Sequence, residues 1–159
     1  VADTGALKSY AEQEANAYGI PPHILTGLIT VESGWNPNAV GQSGEEGITQ
    51  LMPGTAPNIN RFDPYQSISF TAQLLRSYFD RFGSWDNALA AYNAGPNGDF
   101  NNPQTQGYIG KILGASDQKS TATAAGKPVN VNSLKILFWA AVAIVGIVLV
   151  RGVSGGGAT

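Results

Sequence analysis

The chain has 159 residues, 43% of them hydrophobic and 20 of them glycine, enough for one modest core with an appendage. Its formal charge of −2 hides a division: through Gly114 there are five basic against ten acidic side chains, and from Ala115 onward four basic against Asp117 alone. An acidic domain without an aromatic and basic stripe excludes a nucleic-acid partner, and a cysteine count of zero excludes disulfides and thiolate metal sites.

The first expected helix covers residues 4 to 18, with Asp3 or Thr4 as its cap, Leu7, Tyr10, Ala11, Ala15 and Tyr18 on one face, and Gly19 after its end. Glu12 and Glu14 fall off that face. Pro21-Pro22 open a second helix, Ile24 to Val31, with apolar residues three and four apart, and Gly34 then Pro37 stop it. This leaves Glu32 at a helix-to-loop junction, half sheltered by core. Desolvation raises the pKa of such a carboxyl and lets it act as a general acid near neutral pH. On position alone, a solvated surface glutamate is the better reading of Glu32. The single histidine, His23, has no second His or clustered Asp near it and reads as a residue of the helix's first turn. No metal or organic cofactor is implied.

From Asn36 to Tyr65 the composition turns to Gly, Pro, Asn and Ser, and so long a connection in a compact domain is usually functional. Within it, Gly47 to Pro53 reads either as an extended piece with Gln50 opposite Ile48 and Met52, or as a surface turn whose Met fills a gap. Ile68, Ala72, Leu75 and Phe79 mark a third helix ended by Gly83, with Arg76 and Asp80 paired on its flank. Ser84 caps a fourth helix, Trp85 to about Asn93, which breaks at Ala94-Gly95-Pro96. A last helix runs near Thr105 to Leu113, with Tyr108, Ile109 and Ile112 on one side. The helical domain thus occupies residues 1–114.

Residues 115–133 are a low-complexity run of Ser, Thr, Ala, Asn and Lys, expected to be a flexible linker. Ile136 to Val150 then carries no charged side chain; extended to 134–153, with Lys135 and Arg151 at its ends, it reaches the ~30 Å of a bilayer's hydrocarbon core. The expectation is a single-pass span that anchors the protein in lipid, followed by a Gly-rich tail at 154–159.

Three blocks carry a resemblance: Glu32-Ser33-Gly34-Trp35-Asn36-Pro37, Gly47-Ile48-Thr49-Gln50-Leu51-Met52-Pro53-Gly54-Thr55-Ala56, and Ala91-Tyr92-Asn93-Ala94-Gly95-Pro96. In order and spacing they resemble the lytic transglycosylase family, the soluble lytic transglycosylase-like domain on the goose-type lysozyme fold, over about Leu7 to Leu113. The resemblance implies a mainly α-helical, lysozyme-like domain with a substrate groove. It also implies cleavage of the MurNAc-GlcNAc bond in peptidoglycan glycan strands. Glu32 would be the single general acid/base, and attack by the muramic acid's own C6 hydroxyl would leave an anhydromuramoyl end. A glycosidase that borrows its nucleophile from the substrate needs one protein carboxylate, where ordinary retaining and inverting enzymes need two. Gln50 would hydrogen-bond the sugar, Met52 would touch it, Tyr92 would hydrogen-bond Glu32 and orient it, and Tyr108 would reach the site with its hydroxyl. Ser33 and Asn93 complete the substrate-side set, Asn93 as a sugar contact or a loop-fixing residue.

The chain departs from the family pattern in three places. Thr49 stands where Met usually precedes the Gln, Gly44-Glu45 replaces the usual Gly-Ala, and Gly41 replaces a frequent Ser, with Ser43 as the nearest substitute. Glu45 and Glu46 read as solvated loop charges, although either is a candidate second carboxylate for lysozyme-type hydrolysis. The rival of another class is a non-catalytic, glycan-binding structural membrane protein. Lys119, Lys127 and Lys135 before the span, against Arg151 after it, would keep the domain in the cytoplasm, and no signal-peptide pattern opens the chain. A bacteriophage virion protein that opens the host wall as the genome enters fits both observations, with other virion or envelope-complex proteins as partners; a bacterial wall-remodelling enzyme is the alternative.

Overall fold

Five helices account for the regular structure of residues 3–114, the part of the chain that the computed structural model describes. The linker, membrane span and tail expected at 115–133, 134–153 and 154–159 lie outside the described residues. Among the described residues no helix is long and apolar enough to cross a membrane.

Helix α1 (Thr4–Ala17) starts at Asp3, whose carboxylate accepts from the Gly5 N–H, and buries Leu7, Ala11 and Ala15. Helix α2 (Pro22–Ser33) buries Ile24, Leu25, Leu28 and Ile29, and Gly34 ends it in the left-handed conformation. Each of those side chains contributes about 1.5–3 kcal/mol by leaving water. Asp63 caps α3 (Pro64–Phe82), accepting from the Tyr65 and Gln66 N–H groups, and Ser84 caps α4 (Trp85–Ala94), accepting from Asn87. Asn102 does the same for α5 (Pro103–Gly114) by accepting from the Thr105 N–H. The mainly α-helical expectation matches these elements to within a residue or two at most ends.

The helices pack in a closed circuit, α1 on α2, α2 on α5, α5 on α4, α4 on α3 and α3 on α1. One close approach in that circuit matters for the site. A Cβ added at Gly27 of α2 would sit 3.2 Å from both the carbonyl oxygen and Cγ2 of Ile112, so the glycine lets α5 lie close against α2. Tyr108 is one turn before Ile112 on the same buried face.

Between α2 and α3 the chain forms no strand, only isolated bridges pairing Val40 with Glu46 and Glu46 with Leu51. Gly47 to Gln50 is a tight turn closed by the Gln50 N–H on the Gly47 carbonyl, with Gln50 at φ 52°. The extended alternative for this stretch is therefore corrected. Ile48 is fully buried whereas Met52 is 41% exposed, so the two do not share a face, and Met52 fills no gap. The turn requires its glycine: a Cβ at Gly47, which has φ 78°, would come within 1.8 Å of the Arg61 carbonyl oxygen.

Candidate active site

Glu32 occupies the last turn of α2, where the apolar stripe ends and the left-handed Gly34 turns the chain away. Its carboxyl is part-buried, and the Tyr108 hydroxyl donates to Oε1 at 2.6 Å. Burial raises the Glu32 pKa to about 7; the Tyr108 hydrogen bond works in the opposite direction, and the charge of Glu45 adds to the rise. Burial, then the Glu32 charge, push the Tyr108 phenol well above its ordinary value, so it stays a donor. A carboxyl that gains and loses its proton near neutral pH can serve as acid and as base in one catalytic cycle.

Tyr92, expected as the Glu32 partner, makes its bond elsewhere. Its hydroxyl donates to the Thr49 carbonyl oxygen at 2.6 Å and lies 3.4 Å from Thr71 Oγ1. The reason is placement: α5, which packs on α2, carries Tyr108, whereas α4 packs on α3 and α5. Tyr92 is still close enough for the Glu32 charge to raise its pKa, after the larger effect of burial. Its structural effect is to fix the second block at the Thr49 carbonyl.

Three more of the expected sugar contacts brace the framework. Ser33 donates to the Ile48 carbonyl at 2.7 Å, tying the residue beside the acid to the Gly47–Gln50 turn. Gln50 Nε2 donates to the Gly47 carbonyl at 2.8 Å and the Ala39 carbonyl at 3.2 Å, which leaves Oε1 as the acceptor it presents. Asn93 Oδ1 accepts from Thr105 Oγ1 at 3.0 Å and joins the end of α4 to the start of α5, a loop-fixing bond. Met52 is the one apolar member of the set that faces solvent.

The two loop glutamates are half-buried, which corrects their reading as solvated charges. Glu46 Oε2 pairs with Arg61 Nε at 2.6 Å, and the same guanidinium donates to the Ala56 carbonyl. Glu45 folds back over its own turn, with Oε2 accepting from the Ser43 N–H at 3.0 Å. Sequence reasoning missed these braces because they join residues without periodic spacing. The one signal was the cluster of glycines at 41, 44 and 47, which marks a loop folded tightly on itself.

A separate cavity of about 400 Å³ opens between α1 and α2, against Lys8, Glu12, His23 and Trp35; Glu32 is not on its wall. Among the described residues no group of three or more His, Cys, Asp or Glu is placed to hold a metal ion.

The family model for the Transglycosylase SLT domain matches residues 9–111. A transglycosylase of Enterobacteria phage PRD1 is 37% identical over 99 residues, covering 60% of this chain and 37% of the phage protein. Membrane-bound lytic murein transglycosylase F of Shewanella pealeana is 38% identical over 104 residues, covering 58% of this chain and 22% of that protein. Among solved structures, the 70 kDa soluble lytic transglycosylase of Escherichia coli superposes with a TM-score of 0.52 at 26% identity, over 67% of this chain and 18% of that one. The chain therefore matches well under half the length of each relative, and the lysozyme-like helical fold is the part it shares with them.

Proposed function

This chain belongs to the Transglycosylase SLT domain family, and from that premise we propose that it is a peptidoglycan lytic transglycosylase in which Glu32 is the single acid and base. Protonated Glu32 gives its proton to the oxygen of the MurNAc-GlcNAc bond. The C1–O bond breaks with its electron pair on the leaving sugar oxygen, and positive charge develops at the muramic acid C1. The C6 hydroxyl of the same sugar attacks C1 and yields its proton to the Glu32 carboxylate. The cycle consumes no water, returns the proton to Glu32 and leaves a 1,6-anhydromuramoyl end.

The observation that carries this reading is the half-buried Glu32 with its pKa near 7 and its Oε1 held by Tyr108. The tyrosine keeps the carboxyl aimed while the proton leaves and returns, and its hydrogen bond stabilises the carboxylate formed between the two transfers. Gln50 Oε1 and exposed Met52 are the sugar contacts of this proposal. Ser33, Tyr92 and Asn93 hold the loops that carry them. Digestion of purified sacculi tests it: anhydromuramoyl muropeptides are the expected products, and reducing ends alone would instead assign lysozyme-type hydrolysis.

The proposal extends to where the enzyme works. An apolar stretch at 134–153 long enough to span a bilayer, together with the phage relative, supports a membrane-anchored virion enzyme that opens the wall locally as a phage genome enters its host. Peptidoglycan strands, the lipid bilayer and neighbouring virion or envelope proteins are then its partners. Fractionation of purified virions, with and without detergent, tests the placement. Recovery of the protein in the soluble fraction without detergent would remove the anchor from the proposal.

A further inference from the structure

We propose that the cavity between α1 and α2 is a second binding site, which takes an amino-acid end carrying both a free carboxylate and a free ammonium, as the peptide stems of peptidoglycan do. Its volume of about 400 Å³ falls within the ~300–1,000 Å³ of small-ligand sites. The two helices contribute different chemistry to the wall. From α1 come one cation and one anion, Lys8 and Glu12, four residues apart and so about 5–6 Å between their Cβ atoms. From α2 come His23, Thr26 and Thr30, and the chain just beyond it supplies Trp35. Among the described residues neither Lys8 nor Glu12 is in an ion pair, whereas Arg61 and Arg76 each hold a carboxylate. The exposed Lys8 ammonium lies instead 5.5 Å from the centroid of the Trp35 ring.

The floor of the cavity is fixed. Trp35 is 9% exposed and has φ 71°, directly after the left-handed Gly34. A bulky residue keeps that conformation only where its surroundings over-determine it. Here the indole N–H donates to Thr30 Oγ1 at 2.9 Å, and that hydroxyl donates to the Thr26 carbonyl at 2.8 Å. Thr26 Oγ1 donates to the Pro22 carbonyl at 3.0 Å and so has only lone pairs to offer a ligand. The wall thus presents an ammonium, a carboxylate one turn away and a hydroxyl acceptor on the facing helix, which match a carboxylate, an ammonium and a peptide N–H. An uncharged sugar would leave both charges unanswered, and a polyanion would meet a domain with ten acidic against five basic side chains. At about 3.6 residues per turn, positions 23, 27 and 30 lie on the opposite side of α2 from Glu32, so the site is apart from the acid. Naming peptide stems as the source of the ligand rests on the proposed function. Exposed charge pairs are individually weak, but a wall that presents many stems holds such an enzyme by multivalency.

Nitrogen-15 NMR of the full chain in detergent, titrated with the stem tripeptide L-Ala-γ-D-Glu-meso-diaminopimelate, reads the site without any turnover. The Trp35 indole N–H and the Thr26 and Thr30 amides should shift. Lys8→Gln and Glu12→Gln, both at exposed positions of α1, should each weaken binding about two- to fivefold. Amidating the carboxylates of the probe should abolish the effect of Lys8→Gln, and acetylating its amines should abolish that of Glu12→Gln. Co-sedimentation with intact sacculi should fall in the double variant. An unmoved Trp35 indole signal overturns the proposal, and so does tripeptide binding that neither substitution weakens. Shifts of the same signals by a peptide-free glycan oligomer in place of the tripeptide would overturn it in favour of a sugar site. Absence of anhydromuramoyl product with the tripeptide titration intact would overturn the proposed reaction and leave the binding site standing.

Discussion

The helices and the loop between α2 and α3 both contain fully buried side chains, Leu28 and Ile29 in one and Ile48 and Thr49 in the other, yet different forces set their positions. In the helical part, apolar faces repeat every three to four residues and packing decides most of which side chain meets which, with the Thr105–Asn93 bond added where α4 meets α5. Glu32 and Tyr108 meet because α2 and α5 pack, with Gly27 letting them close. In the loop, single side-chain hydrogen bonds do this work: Ser33 on Ile48 and Tyr92 on Thr49 from the helices, and Arg61 on Ala56 from within the loop itself. The difference teaches that the acid belongs to the robust half of the molecule, while the groups that surround it belong to the half that individual bonds can unmake.

The largest expected effect is on the acid itself. Glu32→Gln should lower turnover of sacculi by about 10²–10⁴-fold, the usual worth of a general acid and base. It should also stabilise the fold, in a pH-dependent way. The native carboxyl titrates near 7 against an ordinary 4.5. Below the ordinary value both folded and unfolded states hold the proton, so the ionisation of this group costs the fold nothing. As pH rises toward 7 the unfolded chain ionises first, and wild type loses up to about 3 kcal/mol that the Gln variant does not lose. Melting curves should therefore separate at about pH 8, with the variant higher, and converge at about pH 4. Curves that stay parallel across that range would contradict the burial of the acid.

In the loop, Gly47→Ala tests the other half. Its Cβ would strike the Arg61 carbonyl at 1.8 Å, and φ 78° adds backbone strain. A loss of more than about 3 kcal/mol is expected. Hydrogen exchange should place that loss at residues 39–62 first, with the α2–α5 contact opening later. Simultaneous exchange throughout would mean the two halves are one cooperative unit.

The two tyrosines sharpen the comparison further. Tyr108→Phe removes a bond that holds the Glu32 pKa down, so the Glu32 midpoint should rise above about 7 and kcat should fall about tenfold as the carboxyl loses its orientation. Tyr92→Phe should cost about 1–3 kcal/mol by leaving the Thr49 carbonyl unpaired, and should leave that midpoint in place. If Tyr92→Phe moves the titration more than Tyr108→Phe does, the assignment of the two phenols is reversed.

This division also explains what was legible in the sequence. Helical spacing placed every helix, and the junction of an apolar run with Gly34 placed Glu32, because both depend on local chemistry. The resemblance brought Gln50 and Tyr92, from its blocks, and Tyr108, from beyond them, to one neighbourhood but assigned the Glu32 bond to Tyr92, since motif order does not encode which helix packs on α2. Ser33 read as a sugar contact because a hydroxyl beside the proposed acid has the same chemistry whether it faces a ligand or a carbonyl. The tight turn at Gly47 to Gln50 and the half-burial of Glu45 and Glu46 depend on Arg61 and Gly41, whose partners no periodicity announces.

The smallest expected effect comes from applying one substitution to both halves. Thr49 Oγ1 in the loop is fully buried with no hydrogen-bond partner among the described residues. Thr105 Oγ1, at the start of α5, is equally buried, but donates to Asn93 and accepts from Asn102. Thr→Val keeps the shape and deletes the hydroxyl. At position 105 it should destabilise by about 1–2 kcal/mol, because two partners lose their bond. At position 49 it removes a polar atom that folding strips of water for no return, and the Tyr92 bond survives because it is made to the backbone carbonyl. A gain of up to about 1 kcal/mol is expected there, read as a rise in Tm of several degrees, with the Glu32 titration unchanged. Opposite signs for the same change would show that the loop tolerates an imperfection the helix junction does not. A fall in Tm at both positions would mean that the Thr49 hydroxyl is satisfied in solution.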